Sequence, residues 1–433
     1  MTMLAAPRFA PALLTGMAAA LWVLPAPAAI AATPEEAAQD APESGEGTDA
    51  EKAQAKPQKD DGGFPLKPRW RVHYDVGKVS VPANVAMPER GWNDVLRRAY
   101  LGVDAKFGGG LSSRVELDLS GDQPEFTDLY LSYETGGVTL TAGQQKVFQS
   151  IDDMTSDLHL GFAERAAFVE AFGFGRRTGL TATVKKGDFL AQAGVSTDAL
   201  VALNDAKTNS LGLNGRLIWA PKAGDTQLHL AASASWRDRN DFADAGHRYR
   251  ARPYTRTIGT RFLATPSLKV KSETGFGAEA AFIRGRLHGV AEGYWLRPDL
   301  ASGALYRDPK MWGGYAEVGL FLTKDRRSYK GGNFGAVKPS APLGSGGIGA
   351  VQLNARYDYL DLGKGFSASG APGGSDWGEQ RALLGSLVWT PIDNIAFSMN
   401  YAKSRYEDAA IAAADGDRDY SAETWLFRFQ LHY

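Results

Sequence analysis

Hydrophobic and polar residues alternate with a period of two over most of the chain beyond residue 69. Successive side chains of a β-strand point to opposite faces, so this alternation predicts strands with one apolar and one polar face. One early apolar row consists of Ala99, Leu101, Val103, Ala105 and Phe107. The pattern predicts sixteen strands, near 69–79, 96–107, 111–120, 126–135, 137–146, 176–186, 188–197, 209–219, 226–237, 274–284, 286–296, 312–323, 349–362, 379–390, 394–405 and 422–433.

The connections between these strands alternate between short and long. The short ones carry turn residues such as Gly136-Gly137, whereas the long ones are expected at 80–95, 147–175, 238–273, 363–378 and 406–421. Short turns on one side and long loops on the other are typical of an outer-membrane barrel, and a soluble sandwich has no such rhythm. The connection at 324–348 breaks the rhythm, because a short turn is expected there.

The predicted strands have the length and the flanking residues of a transmembrane barrel. Roughly 9–11 residues carry a tilted strand across a bilayer. Tryptophans near the strand ends fit an interfacial girdle, at Trp219, Trp236, Trp295, Trp312, Trp389 and Trp425. About sixteen strands leave a water-filled lumen in which inward charges remain hydrated. The sequence therefore predicts an all-β fold, a sixteen-stranded antiparallel transmembrane β-barrel with short periplasmic turns and long external loops.

The N-terminal segment divides into two parts before the barrel. Residues 1–31 combine one arginine, a short apolar run and the small-x-small sequence Ala29-Ile30-Ala31, which predicts a secretory signal peptide. Residues 32–62 are rich in acids, Ala, Gln and Pro and contain no aromatic residue, so we expect a disordered acidic tether. The barrel pore is assigned to residues 63–433.

Other classes of function find little support in the sequence. The chain has no cysteine, and its six histidines form no HExxH motif or close pair, so we expect neither a metal site nor a cofactor. No GxSxG motif is present. A hydrolase embedded in the barrel and a surface adhesin stay as alternatives of another class, but the first lacks a positioned nucleophile and the second lacks a passenger domain. We predict no enzymatic activity and no nucleic-acid partner.

The stretch from Ala245 to Ser272 contains five arginines, two lysines and no acid, although the whole chain has 48 basic and 49 acidic residues. Arg248, Arg250 and Arg252 are two residues apart, so in extended chain they point the same way. Guanidinium groups in a row suit anions such as phosphate. At the mouth of a pore they would concentrate anions, and we expect them to form a collecting funnel.

Several segments resemble the phosphate-selective porin O and P family. They are LRRAYLGVDAKF at 96–107, TLTAGQQKV at 139–147, FAERA at 162–166, FGRRTGLTATV at 174–184, YRARPYTRTIGTRFLATPS at 249–267, FLTKDRRSYKGGNFGAVKPS at 321–340 and LNARYDYLDL at 353–362. The last two give the most specific match and include the irregular connection at 324–348. The resemblance spans roughly residues 64–433.

The resemblance implies a homotrimer of sixteen-stranded barrels in which an arginine ladder leads anions to a narrow zone with lysines and an acidic residue. It assigns ladder positions to Arg97, Arg98 and Tyr100, the lysine to Lys146, the acid to Asp118, and fifth-loop positions to Arg250 and Arg252. We add Arg165 from the predicted long loop at 147–175, which is large enough to fold into a lumen. The selective zone is expected near Lys146 and the inward faces of the second and third strands.

Together these features predict a porin in the outer membrane of a Gram-negative bacterium. We expect passive diffusion of inorganic anions, phosphate or polyphosphate, past lumen arginines and lysines, with outer-membrane lipid around the barrel. The alternative within transport is a general or organic-acid porin with little phosphate preference. In that case the arginines only tune selectivity.

Overall fold

The computed structural model describes residues 66–200, 210–239, 246–301, 309–363 and 377–433. Within these residues, sixteen long strands pair with their neighbours in antiparallel register, and the first pairs with the last to close a barrel. Numbered β1 to β16, they are Leu66–Ser80, Gly91–Gly108, Leu111–Asp118, Glu125–Thr135, Val138–Lys146, Arg176–Lys186, Phe189–Ser196, Gly212–Trp219, Thr226–Asp238, Val270–Arg284, Leu287–Leu300, Met311–Phe321, Ala350–Asp361, Glu379–Ile392, Ile395–Glu407 and Tyr420–His432.

The predicted sixteen-stranded antiparallel barrel is confirmed, including the position of each strand along the chain. Three strands reach four or five residues further toward the long loops than the sequence pattern indicates. The second begins at Gly91, the tenth begins at Val270, and the eleventh extends to Leu300. The end of the basic stretch therefore belongs to a strand. The predicted signal peptide and tether lie outside the described residues.

The two faces of the wall follow the alternation in the sequence. Apolar side chains point outward and are exposed, as at Leu101, Leu131, Leu140, Leu180 and Leu383, which retain 47–65% of their surface. All six tryptophans near strand ends are also exposed, at 36–47%. This outward apolar surface, with aromatics near both edges, is the arrangement that faces lipid. Among the described residues, no helix is long and apolar enough to cross a membrane.

One end of the barrel carries tight turns, and the described part of β1 begins there and β16 ends there. Gly136 and Gly137 connect β4 to β5 with φ of 57° and 81°, a left-handed geometry that glycine adopts without strain. At the same end, the backbone of Tyr433 bonds with that of Trp70 in both directions, at 2.9 and 3.2 Å. The C-terminal strand is thus paired with the N-terminal strand from Glu423 to the last residue.

Among the described residues, three connections fold into the barrel. The lumen loop, residues 147–175, contains two short helices, α1 (Ile151–Met154) and α2 (Ala167–Ala171). The basic loop, residues 246–269, contains a small hairpin of Arg250–Ala251 with Leu263–Ala264. The turn-side loop, residues 322–349, is the connection that breaks the rhythm, and it contains a hairpin of Ser328–Lys330 with Asn333–Gly335.

Candidate functional site

The lumen loop is fastened to the wall formed by β13 to β15. The carbonyl oxygen of Gly161 accepts hydrogen bonds from Asn354 Nδ2 at 3.0 Å and Ser386 Oγ at 2.5 Å. The amide of Ala163 donates to Asn400 Oδ1 at 3.0 Å. Gly161 lies so close to this wall that an added Cβ would stand 3.0 Å from the Asn354 side chain of β13. The loop therefore crosses the lumen on a fixed path. The open part of the lumen lies between the loop and the opposite wall of the barrel.

Two buried arginines add ionic anchors for the lumen loop. Arg428 of β16 contacts Asp75 at 2.7 Å and Glu164 of the loop at 2.9 Å. Arg356 of β13 contacts Glu317 at 2.7 Å and Asp152 of the loop at 3.5 Å. Because each arginine bridges a wall acid and a loop acid, the loop's own carboxylates are held against the wall by charge as well as by hydrogen bonds.

An inner cavity lies between the lumen loop and the wall formed by β1 to β6. It has a volume of about 470 Å³. Nine cationic side chains line it: Arg69, Arg71, Arg97, Arg98, Arg114, Lys146, Arg165, Arg176 and Arg256. Five acids also line it, Asp128, Asp153, Asp157, Glu164 and Glu170, which leaves four positive charges in excess. A narrow passage with this balance attracts anions.

A β-bulge turns two consecutive arginines of β2 into the lumen. His73 of β1 pairs with Arg98, whereas Tyr74 pairs with Leu96, so Arg97 is the extra residue. Arg97 Nε contacts Glu164 at 2.9 Å, and Arg98 is ion-paired with Asp157. Regular alternation would have placed one of the two guanidiniums outside, and the bulge gives both a place in the cavity wall.

Tyr100 is buried behind the inner cavity, among the arginines that form its cationic wall. Its ring contacts the guanidiniums of Arg71 and Arg98, which are 4.9 and 5.2 Å from the ring centroid. The Arg98 guanidinium also donates to the Tyr100 hydroxyl. The ring and the carboxylate of Asp157, which is ion-paired with both arginines, together hold two like charges close to each other.

Lys146 and Arg165 form a pair of neighbouring cations around one backbone carbonyl. The Thr155 oxygen accepts hydrogen bonds from Arg165 Nη2 at 2.9 Å and from Lys146 Nζ at 3.4 Å. Lys146 also donates to the Asp153 carbonyl, and no carboxylate in the described part of the chain lies within ion-pairing distance of it. Arg165 Nη1 is buried without a hydrogen-bond partner. The N–H groups of this pair could donate hydrogen bonds to an incoming anion.

Two acids of the lumen loop stay ionised beside the arginines. Burial alone would raise the pKa of Asp157, but the guanidiniums of Arg98 and Arg71 hold that pKa well below its ordinary value. Burial acts on Glu164 in the same direction, and Arg97 and Arg428 lower the pKa of that carboxyl. Both carboxylates therefore reduce the positive charge of the cationic wall at neutral pH. A fixed negative charge weakens the binding of an anion at such a wall.

An outer cavity of about 300 Å³ lies on the loop side of the inner one. Arg97 and Arg256 line both cavities, so the two share part of their wall. Asp118 lines the outer cavity, where its carboxylate accepts from the Ser120 amide at 2.9 Å. The structure thus places Asp118 in the outer cavity and Lys146 in the inner one, although the resemblance assigned both to one narrow zone.

The basic loop is packed inside the barrel mouth and is not a fully solvent-exposed loop. Three of its own apolar side chains, Tyr249, Phe262 and Leu263, are fully buried. Arg248 and Arg250 are exposed, and neither has an ion-pair partner among the described residues. Their role as an anion funnel stays a prediction, and their exposure at the mouth is compatible with it.

Other arginines of the basic loop face the lumen loop. Arg252 Nε and Arg261 Nη2 contact Glu170 Oε1 at 3.0 and 3.6 Å, and Arg256 Nε contacts Glu164 Oε2 at 3.7 Å. Burial raises the pKa of Glu170, with Arg256 and the other arginines acting in the opposite direction. Arg252 therefore has an acidic neighbour and contributes less free positive charge than Arg248 or Arg250.

The cavity also contains groups that the sequence patterns did not single out. Arg69 and Arg71 of β1 and Asp157 of the lumen loop line it. Arg71 contacts Asp157 at 2.5 Å and Glu116 at 3.2 Å. The signal for the two arginines was present, because Arg69, Arg71, His73 and Asp75 alternate along the inward face of the first predicted strand.

Comparison with known protein sequences identifies relatives over most of the chain. The model of the family described as phosphate-selective porin O and P matches residues 67–433. An uncharacterized protein of Caulobacter vibrioides is 41% identical over 385 residues, 87% of this chain and 76% of that protein. Porin O of Pseudomonas aeruginosa is 27% identical over 233 residues, 48% of this chain and 50% of that porin.

Solved structures share the architecture at low sequence identity. OmpT, an outer membrane protein of Vibrio cholerae, aligns with a TM-score of 0.56 at 11% identity and covers 85% of this chain and 97% of its own. The anion-selective porin from Comamonas acidovorans aligns with a TM-score of 0.50 at 13% identity and covers 85% and 99%. At such identities the likeness shows a common barrel fold.

Proposed function

Since the chain belongs to the phosphate-selective porin O and P family, it is an outer-membrane porin, and we propose that its channel passes anions, in particular phosphate and polyphosphate. The observation that carries this proposal is the inner cavity with nine cations and five acids. An anion that enters a narrow pore loses part of its hydration, and fixed N–H donors replace the lost water. Arginine supplies a planar fork of donors for phosphate, and lysine supplies a point charge.

The proposed path begins at the exposed Arg248 and Arg250 and continues past Arg97 to Lys146 and Arg165. Arg98 and Tyr100 support the wall of the inner cavity, and Asp118 moderates the outer cavity. Binding in such a path must be strong enough to admit an anion and weak enough to release it. The acids interleaved with the arginines serve the second requirement, because each reduces the local positive charge.

We also propose that the protein forms a homotrimer in the outer membrane of a Gram-negative bacterium. One solved structure of OmpT is its trimer form, and the Comamonas acidovorans porin is described as anion-selective. Residues 1–31 are proposed to direct export, after which the tether at 32–62 precedes the barrel. The outward apolar face of the barrel supports a setting in lipid.

A general or organic-acid porin is the second candidate, and the pairing of the arginines favours it. Arg71, Arg97, Arg98, Arg176 and Arg252 each have a carboxylate partner. Such paired cations could tune selectivity for anions in general without a strong preference for phosphate. The two candidates differ in whether phosphate occupies the cavity long enough to block other ions.

The test is a phosphate titration of chloride current through the purified protein in a planar bilayer. We expect phosphate to block the current. Lys146→Ala and Arg98→Ala should weaken that block about 10- to 100-fold, the loss of one charge-assisted hydrogen bond. Lys403→Ala removes an exposed lysine outside the cavity and is the matched control. Chloride current without phosphate block would favour the second candidate, and unchanged block in both cavity variants would refute the assigned roles.

A further inference from the structure

The inner cavity is larger than inorganic phosphate requires. Its volume is about 470 Å³, whereas a cavity of about 10–15 Å³ is enough to hold one water molecule. Phosphate has only five heavy atoms, so it would occupy a small part of this space. A solute that filled the cavity would contact both the cationic wall and the side chains beyond it.

The wall formed by β4, β5 and β6 changes character along its length. At the loop end, each strand places a charged group in the cavity: Asp128, Lys146 and Arg176. Toward the turn end, the same strands place uncharged polar groups in it: Tyr130, Ser132, Thr141 and Thr183. Ser132 and Thr141 are cross-strand partners whose hydroxyls lie 2.8 Å apart. A neutral polar wall thus continues directly from a charged one.

Two hydroxyls of this neutral wall are available to a solute. Neither the Tyr130 hydroxyl nor the Thr183 hydroxyl has a hydrogen-bond partner in the part of the chain that the structure describes, although both side chains line the cavity. Arg114 lies 5.8 Å from the centroid of the Tyr130 ring. A hydroxyl group of a solute could therefore bond to Tyr130 while its anionic group remains beside the arginines.

We infer that the preferred solutes are organic phosphate monoesters with a hydroxylated body, the class that contains glycerol phosphate and sugar phosphates. This inference rests on the proposed anion channel and adds a second contact to it. The phosphoryl group binds the cations at the loop end, and the hydroxylated body contacts Tyr130, Ser132, Thr141 and Thr183 toward the turn end. Hydroxyl side chains match such a body because each donates and accepts hydrogen bonds.

The experiment compares three blockers of chloride current in the same bilayer: inorganic phosphate, glycerol 3-phosphate and glucose 6-phosphate. We expect the esters to half-block the current at roughly tenfold lower concentration than inorganic phosphate, the gain that about two ordinary hydrogen bonds provide. Esters that block no better than inorganic phosphate would overturn the inference and leave the anion channel intact. Absence of block by all three would overturn the phosphate channel itself.

Variants locate the second contact. Tyr130→Phe combined with Thr183→Val removes both free hydroxyls with little change in volume, and it should abolish the tenfold advantage of the esters while block by inorganic phosphate stays unchanged. Tyr133→Phe lies on the same strand but on the outer face, where the tyrosine is 44% exposed, and it should keep the advantage. A double variant that retains the advantage would overturn the assignment of the hydroxyl wall.

Discussion

Arg216 is expected to hold the turn-side loop inside the barrel. Its buried guanidinium is bidentate to Glu279, at 2.9 and 2.6 Å, and also donates to two groups of the hairpin. These are the Gly332 carbonyl at 3.1 Å and Asn333 Oδ1 at 3.2 Å. The Arg216→Met substitution keeps the volume of the side chain and removes both hydrogen bonds to the hairpin. The hairpin should then leave the lumen more often.

The size of the effect follows from the two lost contacts. A hydrogen bond to a charged group contributes about 1.5–3 kcal/mol, so the hairpin loses at least about 3 kcal/mol of attachment. Each 1.4 kcal/mol is about a factor of ten, so the released population should rise roughly 100-fold. The hydrogen bond between His229 Nδ1 and the Tyr329 hydroxyl, 2.6 Å long, remains. Glu279 also keeps His229 as a partner at 3.0 Å, which limits damage to the wall.

The assay uses the absence of cysteine from the chain. Phe334 of the hairpin is only 8% exposed, so Phe334→Cys introduces one thiol that a small maleimide reaches when the hairpin moves out. We expect labelling roughly 100-fold faster when Arg216→Met is added. Glu279→Gln is the control, because it removes the wall carboxylate and retains both bonds from Arg216 to the hairpin. Equal labelling with and without Arg216→Met, or equal acceleration by Glu279→Gln, would refute the reasoning.

Two further outcomes are expected from the loop contacts. Because burial raises the pKa of Glu170, this carboxyl should take up a proton at higher pH than an ordinary glutamate does. Protonation removes the negative charge beside Arg252, so anion selectivity should increase as the pH falls. Reversal potentials measured against pH should show this change in the wild type and not in Glu170→Gln. Arg428→Met should leave Asp75 buried and unpaired, at a cost of about 3–5 kcal/mol in barrel stability. Adding Asp75→Asn should restore most of the lost stability, as measured by denaturant unfolding. A double variant that is no more stable than Arg428→Met alone would contradict this account.

The barrel could be predicted from the sequence because its determinants are local. Leu129, Leu131 and Tyr133 point outward and Tyr130 and Ser132 inward, as the period-two pattern requires. The irregular connection at 324–348 was also visible, although the sequence did not reveal that its hairpin enters the lumen. The predicted strand ends at the loop side were wrong by several residues, since charged residues interrupt the alternation there.

The candidate site was less predictable because its charges are balanced by residues distant in sequence. Arg97 is ion-paired with Glu164, 67 positions away, and its inward direction depends on a bulge that alternation does not indicate. Arg252 was grouped with Arg248 and Arg250, yet it faces Glu170 of another loop. The buried Tyr249, Phe262 and Leu263 were the signal that the basic loop folds inward, because a solvated loop rarely carries such residues.

The reversal potential in a KCl gradient across a planar bilayer is the most direct test of the proposed anion channel. The excess of four positive charges around the inner cavity predicts that chloride carries most of the current, so the reversal potential should move toward the equilibrium potential of chloride. The shift of the reversal potential should be smaller when the ionic strength is high on both sides, since salt screens the lining charges. A potential that moves toward the equilibrium potential of potassium would contradict the account.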